Sequence, residues 1–396
     1  MSELYPTNRG YVLVTNEGLG SYGEGSAPTA DDVIYCEDVA TDQVTDMISR
    51  VGLSPERPGF RPIDGMQHGT ISLTTECRPK IQTPPLTDDD SPDIDALLRA
   101  SGWVRQDDDA NIAQTYVATS GYTVDSAYVE VYESNSDQAG GDASQTKWSY
   151  LGTRFDWSFT WNAGERWMWT FDGAAKTVTQ TDTAQSWITE ESGSLDYGTE
   201  HPLVAKSVSG AGLVNLTGDV VFGGGTVADP SHALAVLSLS ASGNMGMAEQ
   251  ESAFASGAVG RVSLTPVDPM TIECVVEQSD ISGSDWDPYA IRDSGDAVEV
   301  NYTLTATGTG GSTVTAQIVA YGMITGIAKG DSNGRKTWSL TLEVVYPESA
   351  SDGGATNAAG ENPGQTFEAG TNIGLGTMPM AGITRRGLMA IQFKTA

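Results

Sequence analysis

Clusters of aspartate are the residues of this chain that could most readily carry out chemistry. Three consecutive aspartates occur at 88–90 and again at 107–109, and Asp285 and Asp287 are separated by one residue. Two neighbouring carboxyl groups can serve as acid and base in glycoside hydrolysis, and such groups also bind divalent cations. The chain has 52 acidic residues, however, so close pairs also arise without a function. The spacing at 107–109 matches no calcium-binding loop, and we interpret it as a solvated turn.

No signature of a known type of active site accompanies these carboxylates. The chain lacks the GxSxG, HExxH, Walker and dinucleotide-binding patterns. The glycine cluster Gly223–Gly225 is not followed by Lys-Ser or Lys-Thr, so it predicts a turn rather than a phosphate-binding loop. We therefore expect no catalytic residues and no cofactor, and we expect that the protein is not an enzyme.

The cysteines and histidines are too few and too scattered to predict a metal site. Three cysteines cannot all pair within one chain, and none has a CxxC or zinc-type spacing. We interpret the cysteines as ordinary buried thiols. The residues concerned are Cys36, Cys77 and Cys274, with His68, His201 and His232.

The charge of the chain excludes one large class of function. The formal net charge is −31 and the sequence pI is about 4.1. A protein that reads DNA sequence must place positive charge against phosphates, so this chain is not such a protein. Two interpretations of the acidity remain open. It provides solubility or adaptation to a saline environment, or it forms a surface that repels nucleic acid or attracts cations.

Neither secretion nor membrane insertion is indicated. The first residues, MSELYPTNRGYV, contain no positively charged region followed by an apolar run, so we expect no secretory signal peptide. No apolar stretch approaches the ~18 residues that a membrane helix needs. We therefore expect no membrane partner.

The stretch Trp148–Gly173 is the clearest structural element, and it holds five of the nine tryptophans. Apolar side chains alternate strictly along it, which predicts a β-hairpin with one buried face and a turn at Asn162–Glu165. The predicted buried positions are Leu151, Thr153, Phe155, Trp157, Phe159, Trp161, Trp167, Trp169 and Phe171. The intervening positions are mostly polar and would face water or a lumen: Arg154, Asp156, Ser158, Thr160 and Arg166.

A short helix is predicted over Ser91–Gly102. Ser91 is expected to cap its N-terminus, Pro92 suits the first helical position, and Gly102 suits the C-terminal stop. The spacing i, i+3, i+4 gives the helix one apolar stripe, formed by Ile94, Leu97 and Leu98. A second short helix or turn is predicted over 285–294.

Most other periodic segments alternate with period two, so the chain is predicted to be all-β with one or two short helices. Gly69–Cys77 is a confident strand, and the proline-rich stretch Leu53–Gly65 before it predicts an extended loop. Strands are also predicted over 313–324 and 336–346, joined by a turn at 330–334. The apolar residues of Met378–Ala396 predict a strand that leaves its own domain and docks elsewhere.

Two halves of the chain repeat the same order of elements, which predicts two tandem domains over 1–195 and 196–346. Each half has a cysteine-bearing strand, a short helix, a pair of strands and a long hairpin with tryptophan. The cysteines are Cys77 and Cys274, 197 residues apart. Residues 347–396 follow as a Gly/Ala-rich C-terminal arm.

The chain resembles the tail tube proteins of long-tailed bacteriophages. The residues that carry the resemblance are RPGFRPIDGMQHGTISLTTECRP, PDIDALLRASGW, SAYVEVYESN and TRFDWSFTWNAGERWMWTFDG in the first half, with GRVSLTPVDPMTIECVVE and DWDPYAIRDSG in the second. The resemblance implies a β-sandwich or half-barrel unit that joins edge to edge into a ring, and rings that stack into a tube. Two units in one chain imply a homotrimer with pseudo-sixfold symmetry, with a hexameric ring as the other possibility.

The same resemblance implies a structural virion protein. Its expected partners are other copies of itself and other tail proteins, namely the terminator, the baseplate or tip, and the tape measure. DNA would pass through the lumen without specific binding, and an acidic lining would repel its phosphates. The expected location is the phage tail, after assembly in the host cytoplasm. An alternative is a carbohydrate-binding or adhesive virion surface protein, in which the tryptophans form an exposed platform for sugars.

Overall fold

The fold is described from a computed structural model of the chain. The structure describes residues 10–18, 22–29, 32–48, 63–80, 84–87, 90–108, 112–119, 125–134, 145–162, 165–183, 213–220, 231–243, 247–250, 261–264, 270–278, 287–295, 297–307, 313–332, 334–344, 366–367, 371–372, 377–380 and 383–395. Both predicted domain boundaries, at 195/196 and 346/347, lie outside these ranges, as do most of the predicted loops.

The all-β prediction is confirmed, since strands and two short helices make up the regular structure of the described residues. The helices are α1 (Asp95–Ala100) and α2 (Pro288–Ser294). The strands of the first half are β1 (Gly10–Asn16), β2 (Val33–Ile34), β3 (Cys36–Ile48), β4 (Ile63–Glu76), β5 (Trp103–Asp108), β6 (Ala113–Thr119), β7 (Ala127–Ser134), β8 (Gln145–Asn162), β9 (Met168–Ala175) and β10 (Thr177–Thr183). The later strands are β11 (Leu213–Val220), β12 (Ser231–Gly243), β13 (Met247–Gln250), β14 (Arg261–Leu264), β15 (Thr271–Glu277), β16 (Ala297–Thr307), β17 (Thr313–Ser332), β18 (Arg335–Val344), β19 (Thr366–Phe367), β20 (Thr371–Asn372), β21 (Thr377–Met380) and β22 (Ile383–Thr395).

The tryptophan hairpin is formed by β8 and β9, as predicted. Trp157 lies opposite Phe171 and Phe159 lies opposite Trp169 in the antiparallel register. The predicted inward positions from Thr153 to Phe171 are buried, and only Leu151 is half-buried. Neighbouring aromatic rings of the hairpin lie 4.9–6.1 Å apart between centroids, so they form one continuous aromatic cluster.

Arg154 departs from the predicted alternation. It was expected to face water or a lumen, yet its exposed fraction is 3%. Its guanidinium lies 4.9 Å from the centre of the Tyr22 ring. Tyr22 belongs to a segment far away in the sequence, so the packing that covers Arg154 cannot be read from the period of the strand.

Eight strands form one long antiparallel sheet in the order β3–β4–β9–β8–β12–β15–β18–β17. We call this the long sheet. Its first four strands come from the first half of the chain and its last four from the second. The two halves meet where β8 pairs with β12 over six residue pairs, from Ser238↔Asn162 to Gly243↔Trp157. Backbone hydrogen bonds therefore continue across the halves without a gap.

A second layer packs on the inner face of the long sheet. It consists of β5, β6, β22, the first part of β17, β16 and β11, paired in that order, and β11 also pairs with the start of β12 in the long sheet. Aromatic side chains from both layers meet between them: the ring centroids of Trp103 and Trp157 lie 5.0 Å apart, and those of Trp167 and Phe393 lie 6.5 Å apart. Residues from β1 through β22 belong to a single hydrophobic cluster. The core is thus shared by both halves.

The N-terminal part of β8 belongs to a further group of strands. Residues before Arg154 pair with β7 and β10, β7 pairs with β1, and β1 pairs with β2. The change of partners along β8 occurs at Gly152, whose φ is +66°, a conformation that favours glycine. Helix α1 contacts β1, β5, β7 and β8 and covers this end of the core.

Helix α1 begins later than predicted. Its first residue is Asp95 and the residue before it is Ile94, so Ser91 is not the cap. The backbone at Asp93 is held against the end of β4 instead, because Asp93 N–H donates to the Arg78 carbonyl at 3.2 Å and Arg78 N–H donates to Asp93 Oδ1 at 2.9 Å. The predicted apolar stripe is fully buried, and Gly102, with a φ of +87°, follows the helix as predicted.

Helix α2 confirms the second helix prediction. The Asp287 carboxylate accepts hydrogen bonds from the backbone N–H groups of Tyr289 at 2.9 Å and Ala290 at 3.3 Å. Pro288 occupies the first helical position and Gly295 ends the helix with a φ of +74°. The carboxylate at Asp287 therefore has a structural role as an N-cap.

Strands extend further than the sequence patterns predicted. Strand β4 starts at Ile63, inside the predicted loop, and β17 continues to Ser332, inside the predicted turn. The prediction of a solvated turn at 107–109 is wrong for its first two residues, because Asp107 and Asp108 pair with β6 at the end of β5. Cross-strand hydrogen bonding holds these polar residues in extended conformation, which composition alone does not reveal.

The C-terminal strand β22 lies inside the second layer of the same chain. It pairs with β6 on one side and with β17 on the other. Met389, Ile391 and Phe393 are at most 1% exposed. A strand is therefore present in the predicted segment, and it lies within a layer of the same chain, between a strand of the first half and a strand of the second; that it leaves a domain of its own stays a prediction.

Phe393→Ala tests this position of β22. The substitution removes a buried ring that contacts Tyr116 and Trp167, so we expect a loss of about 3–5 kcal/mol in the free energy of unfolding. The measurement is urea denaturation followed by tryptophan fluorescence. Lys394→Ala, at the more exposed neighbouring position, serves as the control. Equal stability of the two variants would contradict the docking of β22 in the core.

Gly243→Val tests the junction of the halves at β8 and β12. A Cβ atom at Gly243 would lie 2.7 Å from the Trp157 ring, so a valine side chain must displace the indole or separate the strands. We expect destabilisation of about 1–3 kcal/mol. Ser242→Val, on the exposed side of the same strand, should leave the midpoint of thermal unfolding nearly unchanged. An unaffected Gly243→Val protein would show that β12 does not lie against Trp157.

Candidate assembly surface

The outer face of the long sheet is the most uniform surface of the described chain. The buried face carries the aromatic and aliphatic residues, so the alternate residues of each strand point to the other side. We call this other side the polar face. Its hydroxyl-bearing residues include Thr70, Ser72, Thr74, Ser158, Thr160, Thr170, Ser238, Ser240, Ser242, Thr271, Ser339 and Thr341.

Hydrogen bonds between neighbouring strands hold several of these short side chains in place. Ser72 Oγ donates to Asp172 Oδ1 at 2.6 Å. The hydroxyl oxygens of Ser242 and Thr271 lie 3.2 Å apart. The first contact joins strands of the first half, and the second joins strands of the second half. The polar face is thus built in the same way on both sides of the junction.

Acidic residues outnumber accessible basic residues on this face. The acidic residues are Asp38, Asp42, Asp156, Asp172, Glu273, Glu277 and Glu343. Of the basic residues there, Arg154 is buried, Arg335 forms an ion pair with Glu277, and Arg166 near the hairpin turn forms ion pairs with Glu37 and Glu76. The polar face therefore presents hydroxyl and carboxylate groups and little positive charge.

The two outermost strands of the long sheet are β3 and β17, and helix α2 contacts β17 near its end. Among the described residues, no strand pairs with β3 on the side away from β4, and none pairs with the Thr325–Ser332 part of β17 on the side away from β18. Exposed edges present unpaired N–H and C=O groups, which can pair with another strand. The edges therefore offer backbone hydrogen bonds to a partner.

An ion-pair network closes one end of the polar face near the hairpin turn. Arg166 contacts Glu76 at 2.7 Å and also pairs with Glu37, and Arg78 pairs with the other oxygen of Glu76. Glu76 is 1% exposed. Two guanidinium groups on one buried carboxylate compensate for its lost hydration. The network fastens β3, β4 and the start of β9 together.

Asp93 is an ionisable group that lacks such compensation. Its Oδ2 atom is buried and has no hydrogen-bond partner among the described residues. Desolvation by burial raises the pKa of Asp93 to about 7, against the opposing effect of the hydrogen bond from the Arg78 backbone. The carboxyl group is therefore largely protonated in the folded protein below neutral pH.

The predicted absence of a catalytic or metal-binding group of residues stays a prediction. Cys77 and Cys274 are buried as predicted, Cys36 is half-buried, and burial raises the pKa of the Cys274 thiol to about 12. His68 is buried in β4, His232 lies in β12, and His201 lies outside the described residues. Within the ranges that the structure describes, no group of three or more His, Cys, Asp or Glu residues could hold a metal ion.

Neither helix of the described residues is long and apolar enough to cross a bilayer.

The sequence predicted only part of the polar face. The alternating polar residues of β8 indicated one strip of it. The continuation over β12, β15 and β18 was missed, because the pairing of β8 with β12 joins residues about 80 positions apart and leaves no local pattern. The serines at every second position of β12 were the available signal.

Comparisons with known proteins do not add to this description. No family model matches the chain, and no curated protein matches it.

Asp93→Asn should stabilise the protein at high pH. The wild-type carboxyl binds its proton more tightly in the folded state than in the unfolded state, so stability falls as the pH rises from about 4 to about 7 and stays reduced above. Asparagine keeps the acceptor for Arg78 N–H and carries no charge. We expect a gain of up to about 4 kcal/mol at pH 8 and little difference near pH 4. Thermal unfolding across this range measures the effect.

The control for this pH dependence is Asp293→Asn, since Asp293 is exposed on α2. It should follow the wild-type curve at every pH. If Asp93→Asn also followed that curve, the Asp93 carboxyl would be ionised in the folded protein.

Proposed function

We propose that the protein is the major tail tube subunit of a long-tailed bacteriophage, and that the polar face lines the conduit through which DNA leaves the virion. One observation carries the proposal: a face rich in hydroxyl and carboxylate groups continues across the junction of the two halves, and within the described residues no strand covers the outer edge of β3 or of Thr325–Ser332 in β17. The resemblance of the sequence to tail tube proteins supports the same function.

The negative charge of the polar face suits the passage of DNA. Double-stranded DNA carries about one negative charge per 1.7 Å of its axis, and lysines or arginines on the wall would retain it. Carboxylates repel the phosphates, and serine and threonine hydroxyls keep the wall hydrated without a charge. DNA would therefore move along the polar face without binding to it.

The dimensions of the sheet also suit a conduit. We propose that the two halves act as tandem tube domains and that three chains close into a ring with pseudo-sixfold symmetry. Three copies of the eight-strand sheet supply roughly 24 strands, and at about 4.8 Å per strand the circumference is roughly 115 Å, a diameter of ~37 Å before strand tilt widens it. That channel is wider than a DNA duplex. A ring of six chains would be about twice as wide.

Assembly would place the protein in the phage tail after synthesis in the host cytoplasm. Its partners would be further copies of itself in stacked rings, with the terminator, the baseplate or tip and the tape measure at the ends and in the lumen. The net charge of −31 makes copies repel one another. We therefore expect assembly to be favoured by salt or divalent cations.

The alternative of a carbohydrate-binding or adhesive virion protein has weaker support. It depends on tryptophans that form an exposed platform. The hairpin residues Trp157, Trp161, Trp167 and Trp169 are at most 2% exposed, and Trp148 is partly buried. Buried rings cannot stack on a sugar without unfolding of the core.

Negative-stain electron microscopy at low and high salt tests the proposal, together with the native mass of the particles. We expect hollow rings or tubes, more abundant at high salt, with a ring mass of three chains. Retention on immobilised glycans should be absent. A protein that stayed monomeric at every salt concentration and with divalent cations, and that bound glycans, would overturn the tube function in favour of the alternative.

A further inference from the structure

The two open ends of the long sheet differ in charge. The exposed part of the β3 edge carries Glu37, Asp38 and Asp42 and no basic residue. The hairpin formed by the end of β17 and the start of β18 carries three basic residues and one acidic residue, and all four are exposed: Lys329, Asp331, Arg335 and Lys336. Glu37 pairs with Arg166 and Arg335 pairs with Glu277, so the charges that remain are Asp38 and Asp42 at one end and Lys329, Lys336 and Asp331 at the other.

We propose that the β3 edge of one copy pairs directly with the Thr325–Ser332 edge of β17 in the next copy, in a head-to-tail joint. This inference rests on the proposed ring and identifies which strands meet between its subunits. The partner of each edge is thus a second copy of this chain.

Strand direction permits this joint. Seven antiparallel pairings separate β3 from β17 along the long sheet, so the two end strands run in opposite directions. Rotation about a ring axis leaves the direction of every strand relative to that axis unchanged. The β17 edge of one copy then meets the β3 edge of the next in antiparallel orientation, and the hydrogen-bonding pattern of the sheet continues across the joint.

The shared edge is long enough to hold a subunit. The open part of β17 has eight residues, which span about 26 Å at ~3.3 Å per residue, and β3 has 13 residues. Neither edge contains proline, which would remove a hydrogen-bond donor. The residues of this β17 edge that lie on the polar face are small, namely Gly326, Ala328 and Gly330. Their side chains therefore do not obstruct a neighbouring strand.

The charges of the two edges favour the head-to-tail joint over a twofold-symmetric joint between two β3 edges. A twofold pairing of β3 with β3 is also antiparallel, but it brings Asp38 and Asp42 of both copies within a Debye length of each other. In the head-to-tail joint these acids lie near Lys329 and Lys336. The lysines lie on the opposite side of the sheet from the two aspartates. The attraction therefore acts across the edge rather than through direct ion pairs.

Thiol cross-linking of assembled protein tests the joint. In a Cys36→Ser background, Ala40→Cys and Ala328→Cys place one exposed thiol on each edge. A flexible bismaleimide tolerates any small offset in register. We expect covalent dimers and trimers of the double variant on a denaturing gel. Each single variant should remain monomeric, because head-to-tail pairing never brings two copies of the same edge together.

The outcomes of this experiment distinguish a failure of the proposed joint from a failure of the proposed function. Rings seen by microscopy without cross-links in the double variant would overturn the joint and leave the tube function standing. Dimers of the Ala40→Cys single variant would show β3–β3 pairing and would also overturn it. Absence of rings under every assembly condition would overturn the tube function, and the joint with it.

Charge reversal provides a second measurement. Lys329→Glu with Lys336→Glu should raise the protein concentration needed for assembly roughly tenfold at constant salt, because the attraction across the edge becomes a repulsion between like charges within a Debye length. Adding Asp38→Lys and Asp42→Lys to the same chain should restore assembly. Failure of the four combined substitutions to restore it, with folding intact by circular dichroism, would contradict the pairing of these two edges.

Discussion

The pairing of β8 with β12 is the constraint on which the rest of the structure depends. It joins the aromatic hairpin of the first half to β12 of the second, and Gly243 leaves room for the Trp157 ring at the junction. Without this pairing the long sheet would be divided between β8 and β12, which would leave two additional edges exposed. With it, one core and one polar face extend over both halves. Strand β22 completes the same connection in the second layer by pairing with β6 and β17.

The polar face and the core impose opposite requirements on the same strands. Every second residue of the long sheet must be large and apolar to fill the space between the layers, as Trp157, Leu239 and Leu340 do. The residues between them are mostly polar, with serine and threonine frequent among them, so the outer side is hydrated. In the proposed conduit, this hydrated and acidic side would let DNA pass without binding. The cost would be repulsion between subunits, which backbone pairing at the edges and the basic β17–β18 hairpin would offset.

Local patterns predicted the parts of the fold that local forces determine. Period-two alternation identified the tryptophan hairpin, and Asp287, Pro288 and Gly295 bracket a helix where one was expected. Non-local packing determines the rest. Ser91 has the chemistry of a helix cap, but its hydroxyl accepts hydrogen bonds from Arg105 and Gln114, and the helix starts at Asp95. Tyr22 buries Arg154, and no period in β8 could indicate this. The polar face was visible only as separate strips, because its continuity depends on strand pairings between distant segments.

A three-dimensional reconstruction of the assembled protein by electron cryo-microscopy tests the central claim most directly. The account predicts a hollow tube in which the polar face surrounds the channel, with the exposed carboxylates of Asp172 and Glu273 directed into the lumen and the tryptophan cluster between the two layers. A reconstruction with the polar face on the outside of the particle, or a solid particle without a channel, would contradict it.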